Sequence, residues 1–145
     1  MHEQPVLMAL LDAEPAEYLI FLAPWSQKRE GPERLDDYLN GARRFLPTVG
    51  DGAAKIINRD QILWVAVDGF VDAGGAYDLT VVQKLAILEL VDGSRLEGYL
   101  DMNRPADRQR LSDVLNDEGE RFVRLTDDNR TYFVNKDYVR IAVPR

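Results

Sequence analysis

The sequence contains no cysteine and a single histidine, His2. The first absence excludes disulfides, thiolate metal sites and a thiol nucleophile. The second removes the usual general base and the commonest metal ligand from the folded body, because His2 is expected in a mobile terminus. No stretch approaches the roughly 18 apolar residues of a membrane span. The opening MHEQPVLMALLDAEPAEYLI lacks a basic start, and Asp12 breaks its apolar run, so it does not read as a signal peptide. A cytoplasmic location is expected. No GxxxxGK[ST], GxGxxG or HExxH pattern occurs. Ser26, Ser94 and Ser112 have no histidine to activate them, and Lys84 or Lys136 would serve as a base only if buried. No catalytic, cofactor-binding or metal-ligating residue is assigned.

Charge is abundant. Eighteen Lys and Arg face 25 Asp and Glu, a net charge of −7, within a composition that is 46% hydrophobic. That balance suits a folded protein and repels polyanions and anionic membranes at long range. Nucleic acid is therefore an unlikely partner on charge, and another protein the expected one.

The main internal signal is a repeat. Arg34–Val67 and Arg110–Val143 align with one gap near Arg43. They share Arg34/Arg110, Leu35/Leu111, Asp37/Asp113, Leu39/Leu115 and Asn40/Asn116. Beyond the gap they share Arg44/Arg121, Phe45/Phe122, Asp51/Asp128, Asn58/Asn135 and Asp60/Asp137. Composition alone gives far fewer matches, so a tandem duplication is expected, with a degenerate first repeat at 1–67, a linker at 68–80 and a second repeat at 81–145.

Each half reads as strand, strand, short helix, strand, strand, tight turn, strand. In the first half VLMALLD (6–12) and EYLIFLA (17–23) are strands around Ala13–Ala16, and RLDDYLN (34–40) is a helix with Leu35 and Leu39 on one face. RRFLPTV (43–49), AAKIIN (53–58) and QILWVAV (61–67) follow as strands. Pro47 suits an edge or a bulge. In the second half VVQKLAILELV (81–91) and RLEGYLDM (95–102) flank Asp92-Gly93, a hairpin signal. RLSDVLN (110–116) is the helix, with Asp107 as its expected N-cap. RFVRLTD (121–127), TYFVN (131–135) and YVRIAV (138–143) complete it. Phe45 and Phe122 are expected at equivalent core positions. Leu35, Leu39, Leu111 and Leu115 are expected to plug an open end of each half. Phe70 and Tyr77 either dock the linker or leave it free.

Leu90-Val91-Asp92-Gly93-Ser94-Arg95-Leu96-Glu97-Gly98-Tyr99-Leu100 resembles the first motif of Sm-like proteins, with Gly98 as the glycine that bends the second strand. Val134-Asn135-Lys136-Asp137-Tyr138-Val139 is similar to the second motif, as in the bacterial Sm-like RNA chaperone. The resemblance implies a mainly β fold of two tandem SH3/Sm-like small β-barrels, each with a short inserted helix. Lys136-Asp137 stands where the chaperone has Lys-His, which replaces an RNA-facing donor with an acid. The first half lacks the glycine motif, with Ala13 and Ile20 near the places of Gly93 and Gly98. The RLSDxLN…RFxxLTD…VNKDxV pattern is also similar to bacterial domains of unknown function.

Several constellations have both a chemical and a structural reading. Asp36, Asp37 and Asp113 could be paired carboxylates, yet local bonds to backbone or to Arg34 and Arg110 suit them better. Asn58-Arg59-Asp60 and Asn135-Lys136-Asp137 suit tight turns. Arg104, Arg108, Arg110, Arg121, Arg124 and Arg130 with Tyr99, Tyr132 and Phe133 could bind single-stranded RNA, but Asp101, Asp107, Asp113 and Asp127 interleave with them. The expected function is a non-catalytic adaptor or regulatory protein-interaction module. Its contact is expected on the first half, with Trp25, Tyr38 and Trp64 as exposed candidates, although Trp64 faces either the core or the partner; Gln61–Val67 is the expected open strand edge, through which self-assembly is an option. The alternative is a single-stranded RNA binder of Sm-like type.

Overall fold

A computed structural model describes residues 2–26, 30–69, 82–102, 107 and 109–145. It is mainly β, and the strand pairings among these residues are antiparallel. The chain divides into two compact units, Met1–Ala66 and Val67–Arg145. Of the expected linker only Asp68 and Gly69 are described. Residues 70–80, with Phe70 and Tyr77, lie outside the described residues, as do Arg104 and Arg108.

The first unit runs β1 (His2–Leu10), β2 (Ala16–Leu22), α1 (Leu35–Leu39), β3 (Phe45–Gly50), β4 (Ala53–Asn58), a single 3-10 turn (Arg59–Gln61) and β5 (Ile62–Asp68), a strand that ends two residues past the unit's boundary. The second runs β6 (Gln83–Leu90), β7 (Arg95–Asp101), α2 (Leu111–Leu115), β8 (Phe122–Thr126), β9 (Arg130–Asn135), a 3-10 turn (Lys136–Tyr138) and β10 (Val139–Pro144). The strand order is β5-β1-β2-β3-β4 in the first unit and β10-β6-β7-β8-β9 in the second, the same plan twice.

The turns follow from local chemistry. Asp51 and Gly52 both take positive φ (51° and 72°), the geometry that matches a two-residue hairpin to strand twist. Gly93 (φ 88°) turns β6 into β7, while the Ser94 amide donates to Asp92 Oδ1 at 3.0 Å. Asp12 (φ 59°) does this work in the first unit, where the loop to β2 is one residue longer. His2 is not in a free terminus: it pairs with Leu22 at the start of β1. Apolar alternation fills the interior with Met8, Ile20, Leu39 and Leu46 in one unit and Leu88, Leu100, Phe122 and Phe133 in the other.

The ladders also share an irregularity. Leu10 pairs with Ile62 and Ala9 with Trp64, which leaves Leu63 bulged; Leu90 pairs with Val139 and Glu89 with Ile141, which leaves Arg140 bulged. Registers therefore match position for position. Val6 faces Tyr18 where Ala86 faces Gly98, so Tyr18, and not Ile20, stands in the place of Gly98. A Cβ on Gly98 would lie 2.7 Å from the Thr126 carbonyl oxygen. The first unit relieves the same crowding from the opposite strand. Gly50 makes room for the Tyr18 ring, and a Cβ there would lie 2.9 Å from Tyr18 Cδ1.

Four expectations are corrected. Phe45 and Phe122 are equivalent in register, facing Asn58 and Asn135, but Phe45 is 53% exposed and Phe122 1%. Burial belongs to the other side of β3, where Leu46 and Thr48 point inward. Gln61–Val67 does not have the exposure expected of an open edge, since Ile62–Val67 are all buried. Pro47 lies on β3, which is flanked by β2 and β4 and is not the edge strand. Its missing donor is tolerated because β2 pairs only with Thr48 and Val49, beyond it, and its carbonyl accepts from the Tyr38 hydroxyl at 3.0 Å. The N-cap of α2 is Arg110, not Asp107.

Candidate functional site

The motifs shared by the two units build their frame. The Arg34 amide donates to Asp37 Oδ2 at 3.2 Å and the Arg110 amide to Asp113 Oδ2 at 3.1 Å, so each aspartate holds the first turn of its helix. Asn58 Oδ1 accepts from the Asp60 amide, and Asn135 Oδ1 from the Asp137 amide, both at 3.0 Å. Asp60 pairs with Arg44 (2.9 Å) and Asp137 with Arg121 (3.6 Å). The residue between reaches back to the helix end. Arg59 donates to the Leu39 and Gly41 carbonyls, and the Lys136 ammonium to the Asp117 carbonyl. Asn, cation and Asp thus clip turn, helix and third strand together, and each side chain has an internal partner.

Of the three expected contact residues, Trp25 is at the surface, 77% exposed. Tyr38 and Trp64 are buried, which corrects the exposure expected of Tyr38 and, of the two alternatives for Trp64, fits the core. Tyr38 lies on the inner face of α1, and burial raises its phenol above the ordinary 10.0, against the lowering influence of Arg43. Trp64 faces Ala9 across the ladder. The expected basic-aromatic surface is broken up. Phe133 is buried, and Arg110, Arg121, Arg124 and Arg130 pair with Asp113, Asp137, Asp101 and Asp68. No group of three acidic, histidine or cysteine side chains that could hold a metal ion occurs among the described residues. No helix is long and apolar enough to cross a membrane there either.

Two surfaces that the sequence did not single out stand out instead. On β3 and β4, Phe45, Pro47 and Ile56 share the outward face, with Pro47 opposite Ile56 and Ile56 71% exposed. The same face of the second unit carries Phe122, Arg124 and Phe133, with both rings buried and Arg124 paired to Asp101 at 3.7 Å. The signal was available: a two-residue turn at Asp51-Gly52 fixes the register that puts Ile56 beside Pro47.

The other surface is a groove of about 720 Å³ in the second unit, between α2, the start of β6 and the end of β10. Leu85, Leu111, Leu115, Ala142 and Pro144 form its apolar floor. Lys84, Arg110 and Arg145 stand around it. Leu35, Leu39 and Leu111 are buried as expected of the helix leucines, whereas Leu115 is only partly so because it faces this groove.

No family model, curated protein or solved structure matches the chain.

Proposed function

We propose that the protein is a non-catalytic cytoplasmic adaptor or regulatory module, built from two duplicated SH3/Sm-like β-barrels, that binds another protein through its first unit. The observation that carries this is the outward face of β3–β4. Phe45 and Pro47 on β3 and Ile56 on β4, the last strand in that unit's order, form an exposed apolar stripe. Apolar side chains grouped in this way mark interaction surfaces more often than singly scattered ones do. Their neighbours are polar: Arg44 lies over the Phe45 ring at 5.6 Å and pairs with Asp60, and Lys55 pairs with Asp51. A wet rim around an apolar centre is the usual anatomy of a protein contact. Trp25 remains available on the same unit.

The RNA-binding alternative has less support. Within the basic cluster Arg124 is held against Asp101 with both side chains largely covered, the Phe133 ring is buried, and Lys136, the residue matching the Sm-like motif, is bonded to the Asp117 carbonyl.

The test is capture from the native host by wild type and by Ile56→Asp, with melting followed in parallel. Both side chains at 56 are in solvent, so the melting temperature should stay unchanged while a protein held by the wild type is lost. Retention of that protein by Ile56→Asp, or salt-sensitive binding of single-stranded RNA at micromolar concentration, overturns the reading.

A further inference from the structure

The groove of the second unit carries charge of the opposite sign to the protein. The chain has a net charge of −7, yet the residues lining the groove include three cations, Lys84, Arg110 and Arg145, and no carboxylate. The first unit shows that this is not a property of the shared plan. By register, Gln4 stands in the place of Lys84, Asp68 in that of Arg145, and Asp36 in that of Ser112. The apolar side differs in the same sense. Val65 and Val67 are buried where Ala142 and Pro144 leave space, and Leu39 is sealed where Leu115 is partly open. The second unit has thus exchanged bulk and acid for a cavity and cations.

We infer that this groove binds an acidic peptide segment of another protein, with apolar side chains on the floor and carboxylates against Lys84, Arg110 and Arg145. The site is independent of the β3–β4 face. Its volume lies within the roughly 300–1,000 Å³ of ordinary ligand sites. The cations already present can receive such a ligand. Arg145 meets Glu97 at 3.8 Å with both side chains half exposed, an ion pair that contributes little and exchanges readily. Arg110 engages Asp113 through Nε and Nη2 from a largely exposed position. The Lys84 ammonium donates to the Gln109 carbonyl, which holds it at the mouth. An extended segment also has a wall to lie along, because among the described residues β10 pairs only with β6. The Arg145 amide points to Leu85 on β6, so strand alternation turns the Ala142 amide the other way.

The test uses display of random peptides selected on the full chain, with Ser112→Trp as counter-selection. Ser112 lines the groove and is exposed, so the indole fills the space without disturbing the core. Enriched sequences should carry two or more acids around apolar residues and bind Ser112→Trp at least tenfold more weakly. Charge reversal in Lys84→Glu/Arg145→Glu should invert the preference from acidic to basic peptides. Groove-dependent sequences without net negative charge would overturn the acidic assignment. Oleate or oligouridylate blocked by Ser112→Trp, with no peptide so blocked, would overturn the peptide assignment. None of these results touches the β3–β4 contact, which the Ile56→Asp experiment decides separately.

Discussion

The two units share strand order, hairpins, bulge and clip, yet they cover opposite parts of the plan. In the first, the last strand is buried along Ile62–Val67 and the β3–β4 face is bare at Phe45 and Ile56. In the second, β8 and β9 bury Phe122 and Phe133, and the last strand is open, with Ile141 48% exposed in the place of the 8% exposed Trp64. The lesson is that identity in sequence marks the frame, and burial is a separate property. Phe45 and Phe122 are the same residue at the same register position with opposite surroundings. A phenylalanine aligned with a core phenylalanine is no evidence of a second core.

The largest test of that contrast is the phenylalanine pair itself. Phe122→Ala should cost about 3–5 kcal/mol in denaturant unfolding, from lost burial and the cavity left behind. Phe45→Ala should stay within about 0.5 kcal/mol, as for ordinary surface changes. Equal losses would break the comparison. Next come the helices. Leu39→Ala should cost about 2–5 kcal/mol and the partly open Leu115→Ala less than about 1 kcal/mol, because the groove already supplies the space that truncation creates.

A smaller effect sharpens the swap between Gly98 and Gly50. Gly98→Ala drives a methyl into the Thr126 backbone and should cost about 1–3 kcal/mol. Gly50→Ala meets the Tyr18 ring, a side chain that can turn aside, so its cost should be lower and should shrink further in a Tyr18→Ala background. Absence of such coupling in a double-mutant cycle would refute the exchange.

The smallest effect concerns Tyr38. Burial raises its phenol above 10.0, so the fold favours the neutral form. That contribution is whole below about pH 10 and is lost as pH rises through the folded-state value. Tyr38→Phe should lose about 1 kcal/mol at neutral pH with the bond to Pro47, and should show a shallower alkaline decline in stability. An unchanged alkaline slope would place the phenol in water.

Much of the frame was legible because it rests on local rules. Asp92-Gly93, the i, i+4 leucines and the Asn-x-Asp turns each carry their geometry in adjacent residues. Surfaces were not legible for the opposite reason. Tyr38 and Trp64 look like binding residues in a list of aromatics, but Tyr38 lies on the inner side of a helix whose rotation is set by packing. Trp64 lies on a strand buried along both faces, where alternation carries no information. The groove was invisible because its residues come from three separated segments, and small side chains at Ala142 and Pro144 announce nothing by themselves.

The clip has a consequence for the order in which each unit forms. Five residues cannot sustain a helix alone, because nucleation costs more than so few bonds return. The cation that closes the helix end comes from 18–20 positions further along in the first unit and 19 in the second. It arrives only when the β3–β4 hairpin has folded back, bringing the Arg59 amide to the Arg44 carbonyl at 2.7 Å and that of Lys136 to Arg121 at 2.9 Å. Each helix is therefore expected to depend on the hairpin that fastens it from outside. In hydrogen exchange its amides should open together with the following 3-10 turn and not by fraying from the helix ends.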